Sequence, residues 1–226
     1  MRIHRHVVMS DILEADHGEG YIETDTGELY YRRFGSGDEA ILTLHGGPGM
    51  PHNYLLPLAE HGGEDFTVYM YDQFGVGESD KPAPGDFDQY TVEHYREEVD
   101  AVRTEIGADT VHLYGQSWGG MLALEYVLEC PEHVESLILS NTLASVQSAY
   151  ESMKSVLDDL STDNQETIET AHERRAFDDP EYEAALHPAY AKHVCRVDPF
   201  PDPVERTLDN VNTDIYGLMW GPTEFV

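Results

Sequence analysis

The stretch Gly115-Gln116-Ser117-Trp118-Gly119-Gly120 decides the fold. Before it runs Thr110-Val111-His112-Leu113-Tyr114, β-branched and apolar. After it comes Met121-Leu122-Ala123-Leu124-Glu125-Tyr126-Val127-Leu128, good helix formers with no breaker. The pattern predicts a strand, a sharp turn and a helix, with Ser117 at the apex. A G-x-S-x-G sequence in that setting presents a serine as a nucleophile. Its glycines have a steric reason: in so tight a turn, side chains at Gly115 and Gly119 would collide with the neighbouring strand or helix. Strain in the serine backbone lifts the hydroxyl clear of the sheet. The helix start behind it supplies free backbone N–H groups and a positive dipole end. Ser117 is therefore the candidate nucleophile, and the N–H of Trp118 a candidate oxyanion donor.

Upstream, Ala40-Ile41-Leu42-Thr43-Leu44 is nearly all apolar, as in a strand inside a parallel sheet. It runs into His45-Gly46-Gly47-Pro48-Gly49, a loop whose N–H groups, at Gly47 or Gly46, can turn toward an oxyanion. His45, at a strand end, reads as a structural hydrogen-bonding group rather than a base. Thr67 to Tyr71 is a fourth strand leading into the turn-rich loop Asp72 to Asp80. Asp72 precedes the serine, the wrong order for the acid of such a triad, and reads as a residue that fixes the loop. Tyr21–Thr24 and Glu28–Phe34 form a hairpin about Asp25-Thr26-Gly27; residues 1–18 are polar and expected to be loosely held.

Thr91 caps a helix whose stripe is Val92, Tyr95, Val99, Val102 and Ile106, ended by Gly107. Pro131 stops the helix after Ser117, and Val134–Ser140 is a sixth strand. From Ser145 to about Trp220 the pattern is helical. Val146, Ala149, Met153, Val156, Leu157 and Leu160 make one stripe; Asp179-Pro180 and Asp202-Pro203 each read as an N-cap followed by proline. The expectation is an α/β fold: a mostly parallel sheet in residues 1–142 and a helical cap in 143–226.

The 226 residues carry 13 Lys+Arg against 44 Asp+Glu, a net charge of −31. That excludes a nucleic-acid binder working by phosphate neutralisation and argues against an anionic membrane surface. The acid is spread along the chain, as on proteins of salty cytoplasm, where counterions screen self-repulsion. The two cysteines, Cys130 and Cys195, form no disulfide framework and are expected to be free thiols. Met1 to Gly18 holds no apolar core of a signal peptide, and no run is long enough to span a membrane, so the expected location is the cytoplasm.

Taken together, His45-Gly46-Gly47-Pro48-Gly49, Asp72-Gln73-x-Gly75-x-Gly77-x-Ser79-Asp80 and Gly115-Gln116-Ser117-Trp118-Gly119-Gly120 resemble the proline iminopeptidase family of α/β-hydrolases. His193-Val194-Cys195-Arg196-x-Asp198-Pro199 and Met219-Trp220-Gly221-Pro222-x-Glu224-Phe225 are also similar to that family. The resemblance implies a serine exopeptidase that releases an N-terminal proline, or another small residue, from short peptides with a free N-terminus. It implies no metal and no organic cofactor, and that Glu224 holds the substrate's amino group. A carboxylate in a partly dry pocket suits that task, since it pairs with an ammonium and so recognises a chain end.

The departure lies past the cap motif. The family continues through further strands that carry the triad acid and histidine, and this sequence stops at Val226. Beyond Ser117 the histidines are His133, His172, His187 and His193; His133 leads into the sixth strand, at the far end of the sheet, and the others fall in the cap. The 226 residues are therefore expected to lack the usual base and to be inactive alone, the alternative being that one of the three cap histidines, which overhang the site, takes its place. Two alternatives stand beside the exopeptidase: an esterase or amidase of the same fold, and a non-catalytic remnant.

Overall fold

The computed structural model describes residues 17–223 and 225. Six strands, β1 (His17–Thr24), β2 (Gly27–Phe34), β3 (Glu39–Leu44), β4 (Phe66–Tyr71), β5 (Val111–Gln116) and β6 (Val134–Ser140), form one sheet in the order β1-β2-β4-β3-β5-β6. β1 and β2 pair antiparallel and β2 joins β4 antiparallel, while β4, β3, β5 and β6 are mutually parallel. The connections explain the pairing. A short turn can join only antiparallel neighbours, and parallel neighbours need a long crossover. A 3₁₀ helix (His52–His61) lies between β3 and β4; α1 (Val92–Glu105) lies between β4 and β5; α2 (Trp118–Glu129) lies between β5 and β6.

The central strands are apolar because both faces are covered. α1 and α2 pack Val99, Val102, Leu122 and Tyr126 with Leu42, Leu44 and Leu113. The 3₁₀ helix packs Leu55, Leu56 and Ala59 with Phe34, Val68 and Met70. β4 alternates between the two, with Val68 and Met70 in one cluster and Tyr71 in the other. β6 is an edge, and there Ile138 and Leu139 remain 43% and 44% exposed.

Helices follow β6: α3 (Val146–Asp158), α4 (Thr162–Arg174), α5 (Pro180–His193), α6 (Asp202–Asp209) and α7 (Thr213–Met219). Ile168 and Ala171 of α4, Tyr182, Ala185 and Leu186 of α5, and Phe225 form a small core of their own. α6 and α7 instead dock on the loops of the sheet. Thr207 Oγ1 accepts from the Tyr54 N–H at 3.1 Å, Asn212 donates to Gly49 O and Gly75 O, both at 2.8 Å, and Ile215 enters the main core.

Several details differ from the sequence reading. β1 begins at His17, ahead of Tyr21, because Gly18 and Gly20 pair with Arg33 and Tyr31, whose side chains fill the space the glycines leave. Residues 1–16 lie outside the described part. The 3₁₀ helix gives no periodic signal, and Pro57 sits inside it. Asp202 lies in the first turn of α6 and Pro201 occupies the cap position, with no side-chain cap. On α3 no residue is fully buried; Met153 and Leu157 lean on the small core while Val146 is exposed. On α1 the stripe buries Tyr95, Val99 and Val102, but the same helix also buries Glu98 and Arg103.

Candidate active site

Ser117 is the single residue between β5 and α2, with φ 52° and ψ −120°. A non-glycine residue at positive φ is strained and needs its surroundings to hold it. Its N–H donates to Ser140 O at 3.1 Å. Its carbonyl accepts from Thr142 Oγ1 at 2.7 Å and from the N–H groups of Gly120 and Met121. The glycines are required sterically. A Cβ on Gly115 would lie 2.4 Å from Gly119 O, and one on Gly119 would lie 2.1 Å from Leu44 O.

The loop after β3 passes beside this serine: a Cβ on Gly46 would lie 3.2 Å from Ser117 Cβ. The Gly46 N–H is occupied, donating to the Tyr54 hydroxyl at 2.7 Å, and that hydroxyl donates to Gln116 Oε1 at 2.5 Å. Gly47, at φ 114°, and Trp118, first in α2, have amides with no acceptor among the described residues. Of the two glycines weighed from the sequence, Gly47 is thus the one with a free donor.

Gln73 joins the two amide-bearing segments. Its side chain donates to His45 O at 3.3 Å and accepts from Trp118 Nε1 at 3.0 Å. Its backbone N–H donates to His45 Nε2 at 2.9 Å, so the proton of that ring sits on Nδ1, which faces Gly46 O at 3.1 Å. Burial pulls His45 down to about 4, against the pull of Asp72, and keeps it neutral. His45 is structural, in line with its reading as a strand-end group. Asp72 fixes its loop: it accepts from His52 N–H at 2.9 Å, His52 Nδ1 at 2.8 Å and Glu78 N–H at 3.1 Å. Burial alone would raise its carboxyl, and the His52 hydrogen bond and charge hold it below the ordinary range.

Ser117 Oγ has no hydrogen-bond partner among the described residues. His112 bonds Ser136 and Glu39, His133 faces Asp109 O, and His172 faces Tyr182. No group of three or more metal-ligating side chains occurs among the described residues, and none of the described helices is long and apolar enough to cross a membrane.

Beside Trp118 opens a cavity of ≈ 400 Å³. It lies between Val92, Trp118 and Met121 on one side and Val146, Gln147, Tyr150, Met153, Met219, Trp220 and Thr223 on the other. No charged side chain is among these. Glu224 lies outside the described residues; its neighbours Thr223 and Phe225 are buried, one at the cavity and one in the small helical core.

Sequence reasoning missed Tyr54, Thr142 and the roles of Gln73 and Gln116. Gln73 and Gln116 lie inside the quoted motifs, where an amide side chain at each invites a bonding role. Tyr54 and Thr142 carry no local signal, since their partners are distant in sequence.

The α/β hydrolase fold family matches residues 39–222. The proline iminopeptidase of Saccharolobus solfataricus is 37% identical over 212 residues, covering 92% of this chain and 67% of that protein. The crystal structure of VinJ superposes with a TM-score of 0.85 at 33% identity, over 92% of this chain and 72% of that one. The structure of the Mycobacterium smegmatis proline iminopeptidase does so with 0.83 at 29% identity and the same coverage.

Proposed function

The chain belongs to the α/β-hydrolase family and is homologous to its proline iminopeptidases, and from that premise we propose that Ser117 is the nucleophile of a serine exopeptidase acting on short peptides with a free N-terminus. The observation that carries the reading is the strained Ser117 beside two unengaged amides, Gly47 and Trp118. Ser117 Oγ attacks the carbonyl of the N-terminal residue, and the two N–H groups hold the oxygen as it becomes negative. The bond to the next residue breaks, leaving an acyl-enzyme that water then cleaves. The uncharged cavity beside Trp118 receives the side chain of the released residue, proline or another small one. Glu224 pairs with the ammonium group; its neighbour Thr223 lining that cavity supports the assignment. The reaction in this form needs no metal or organic cofactor.

Ser117 meets no base among the described residues, so in this reading the 226 residues bind substrate without turning it over. In a well-studied serine protease, loss of the base costs about 10⁶ in rate. The test pairs two measurements in molar KCl. Prolinamide is expected to perturb tryptophan fluorescence, N-acetylprolinamide not to, and Glu224→Gln is expected to abolish the difference. Equal responses to both amides overturn the substrate assignment. In parallel, a proline arylamide is expected to stay intact; turnover abolished by Ser117→Ala overturns the missing base.

A further inference from the structure

The loop after β4 is gripped from α1 at a single residue. Phe74 N–H donates to Glu98 Oε2 at 2.9 Å, and Phe74 O accepts from the Tyr95 hydroxyl at 3.1 Å. Glu98 and Tyr95 stand three positions apart on α1, one face of the helix. Phe74 follows Gln73, whose amide ties His45 to Trp118, and the Tyr95 ring packs edge-on against Trp118 at 5.9 Å. Glu98 is 4% exposed, and no cation pairs with it among the described residues. Its Oε1 and the Tyr71 hydroxyl are both buried and both without a hydrogen-bond partner of regular geometry, yet close enough to act on each other electrostatically.

We propose that Glu98 is a positioning residue for the oxyanion site: together with Tyr95 it fixes Phe74, and through Gln73 it sets where the Trp118 and Gly47 amides lie. The proposal rests on the reading of those amides as oxyanion donors. A buried carboxyl without a counter-charge keeps its proton, and burial pushes Glu98 up to about 8 against the Phe74 N–H. Other titratable groups facing this cluster are Tyr71 of β4, Tyr95 and His94 of α1, and Tyr90 ahead of it; His45 lies beyond Gln73. Burial lowers both histidines, and burial raises the tyrosines. Glu98 is thus the member of the cluster that titrates near pH 8.

The chain has two tryptophans, so the Trp118 indole N–H gives one of two cross-peaks in a ¹H–¹⁵N spectrum, identified by Trp220→Phe. In molar KCl that peak is expected to shift with a midpoint near pH 8, and to stop titrating in Glu98→Gln. Glu98→Leu, which removes the Phe74 acceptor, is expected to move the peak at every pH. A Trp118 peak that does not titrate in the wild type, or titrates equally in Glu98→Gln, overturns the proposal even if Glu98→Leu fails to fold. The readout requires no turnover, so a failed exopeptidase assay and a failed relay are distinguishable.

Discussion

The indole N–H of Trp118 donates to Gln73 Oε1 across 3.0 Å, joining the residue after the nucleophile to the loop after β4. Both residues are buried. Gln73→Leu keeps the volume and removes two side-chain bonds, stranding the indole N–H and His45 O. A stranded buried polar group costs about 1–3 kcal/mol. The variant is expected to lose at least that much in denaturant unfolding, with a changed Trp118 emission. Unchanged stability counts against the role of Gln73.

Gly119→Ala is expected to be among the most damaging small changes. The added methyl would meet Leu44 O, Leu44 C and His45 O at 2.1, 2.5 and 2.6 Å, all backbone atoms at the end of a central strand or just past it. Overpacking typically costs about 1–3 kcal/mol, and here nothing flexible can yield, so the upper end or beyond is expected. Gly107→Ala is the comparison: it has open space around it, and only its positive φ of 75° opposes the change. Equal losses for the two refute the steric account.

Two buried groups give stability opposite slopes with pH. His45, lowered to about 4 by burial, binds its proton less readily folded than unfolded. Its contribution is present above about pH 6.5 and is lost as pH falls toward 4, on the order of 3 kcal/mol in all. Glu98, raised to about 8 by burial, binds its proton more readily folded. Its contribution is present below about pH 4.5 and is lost as pH rises to 8. Between pH 6.5 and 8 only the Glu98 loss operates, so Glu98→Gln is expected to flatten stability against pH in that window. Equal slopes in wild type and variant there sink the assignment.

Folding is expected to need high salt. The net charge is −31, while the ion pairs among the described residues are few and mostly at the surface. The Debye length shrinks from about 10 Å at 0.1 M to about 3 Å at 1 M, which removes most of the repulsion. Circular dichroism during desalting from molar KCl reads the effect. A spectrum unchanged at about 0.1 M contradicts it.

Local chemistry made much of this legible. The strand–turn–helix about Ser117, the Thr91 and Asp179 caps and β6 at Val134–Ser140 follow from short-range patterns, and they stand where the sequence puts them. What was hidden is long-range or aperiodic. The 3₁₀ helix at His52–His61 has no regular stripe, and Glu98 looks like one more surface acid on an acidic helix. Tyr54 reaches Gln116 across 62 positions, and Asn212 reaches Gly75 across 137. No local window contains such pairs.

β6 is both an outer strand of the sheet and the clamp on the nucleophile. Ser140 O holds the Ser117 N–H, and Thr142, just past the strand, holds the Ser117 carbonyl. The serine's unusual backbone angle is thus moored to a neighbouring strand as well as to its own turn. A change confined to β6 or to Thr142 would therefore reach the aim of the hydroxyl without touching it.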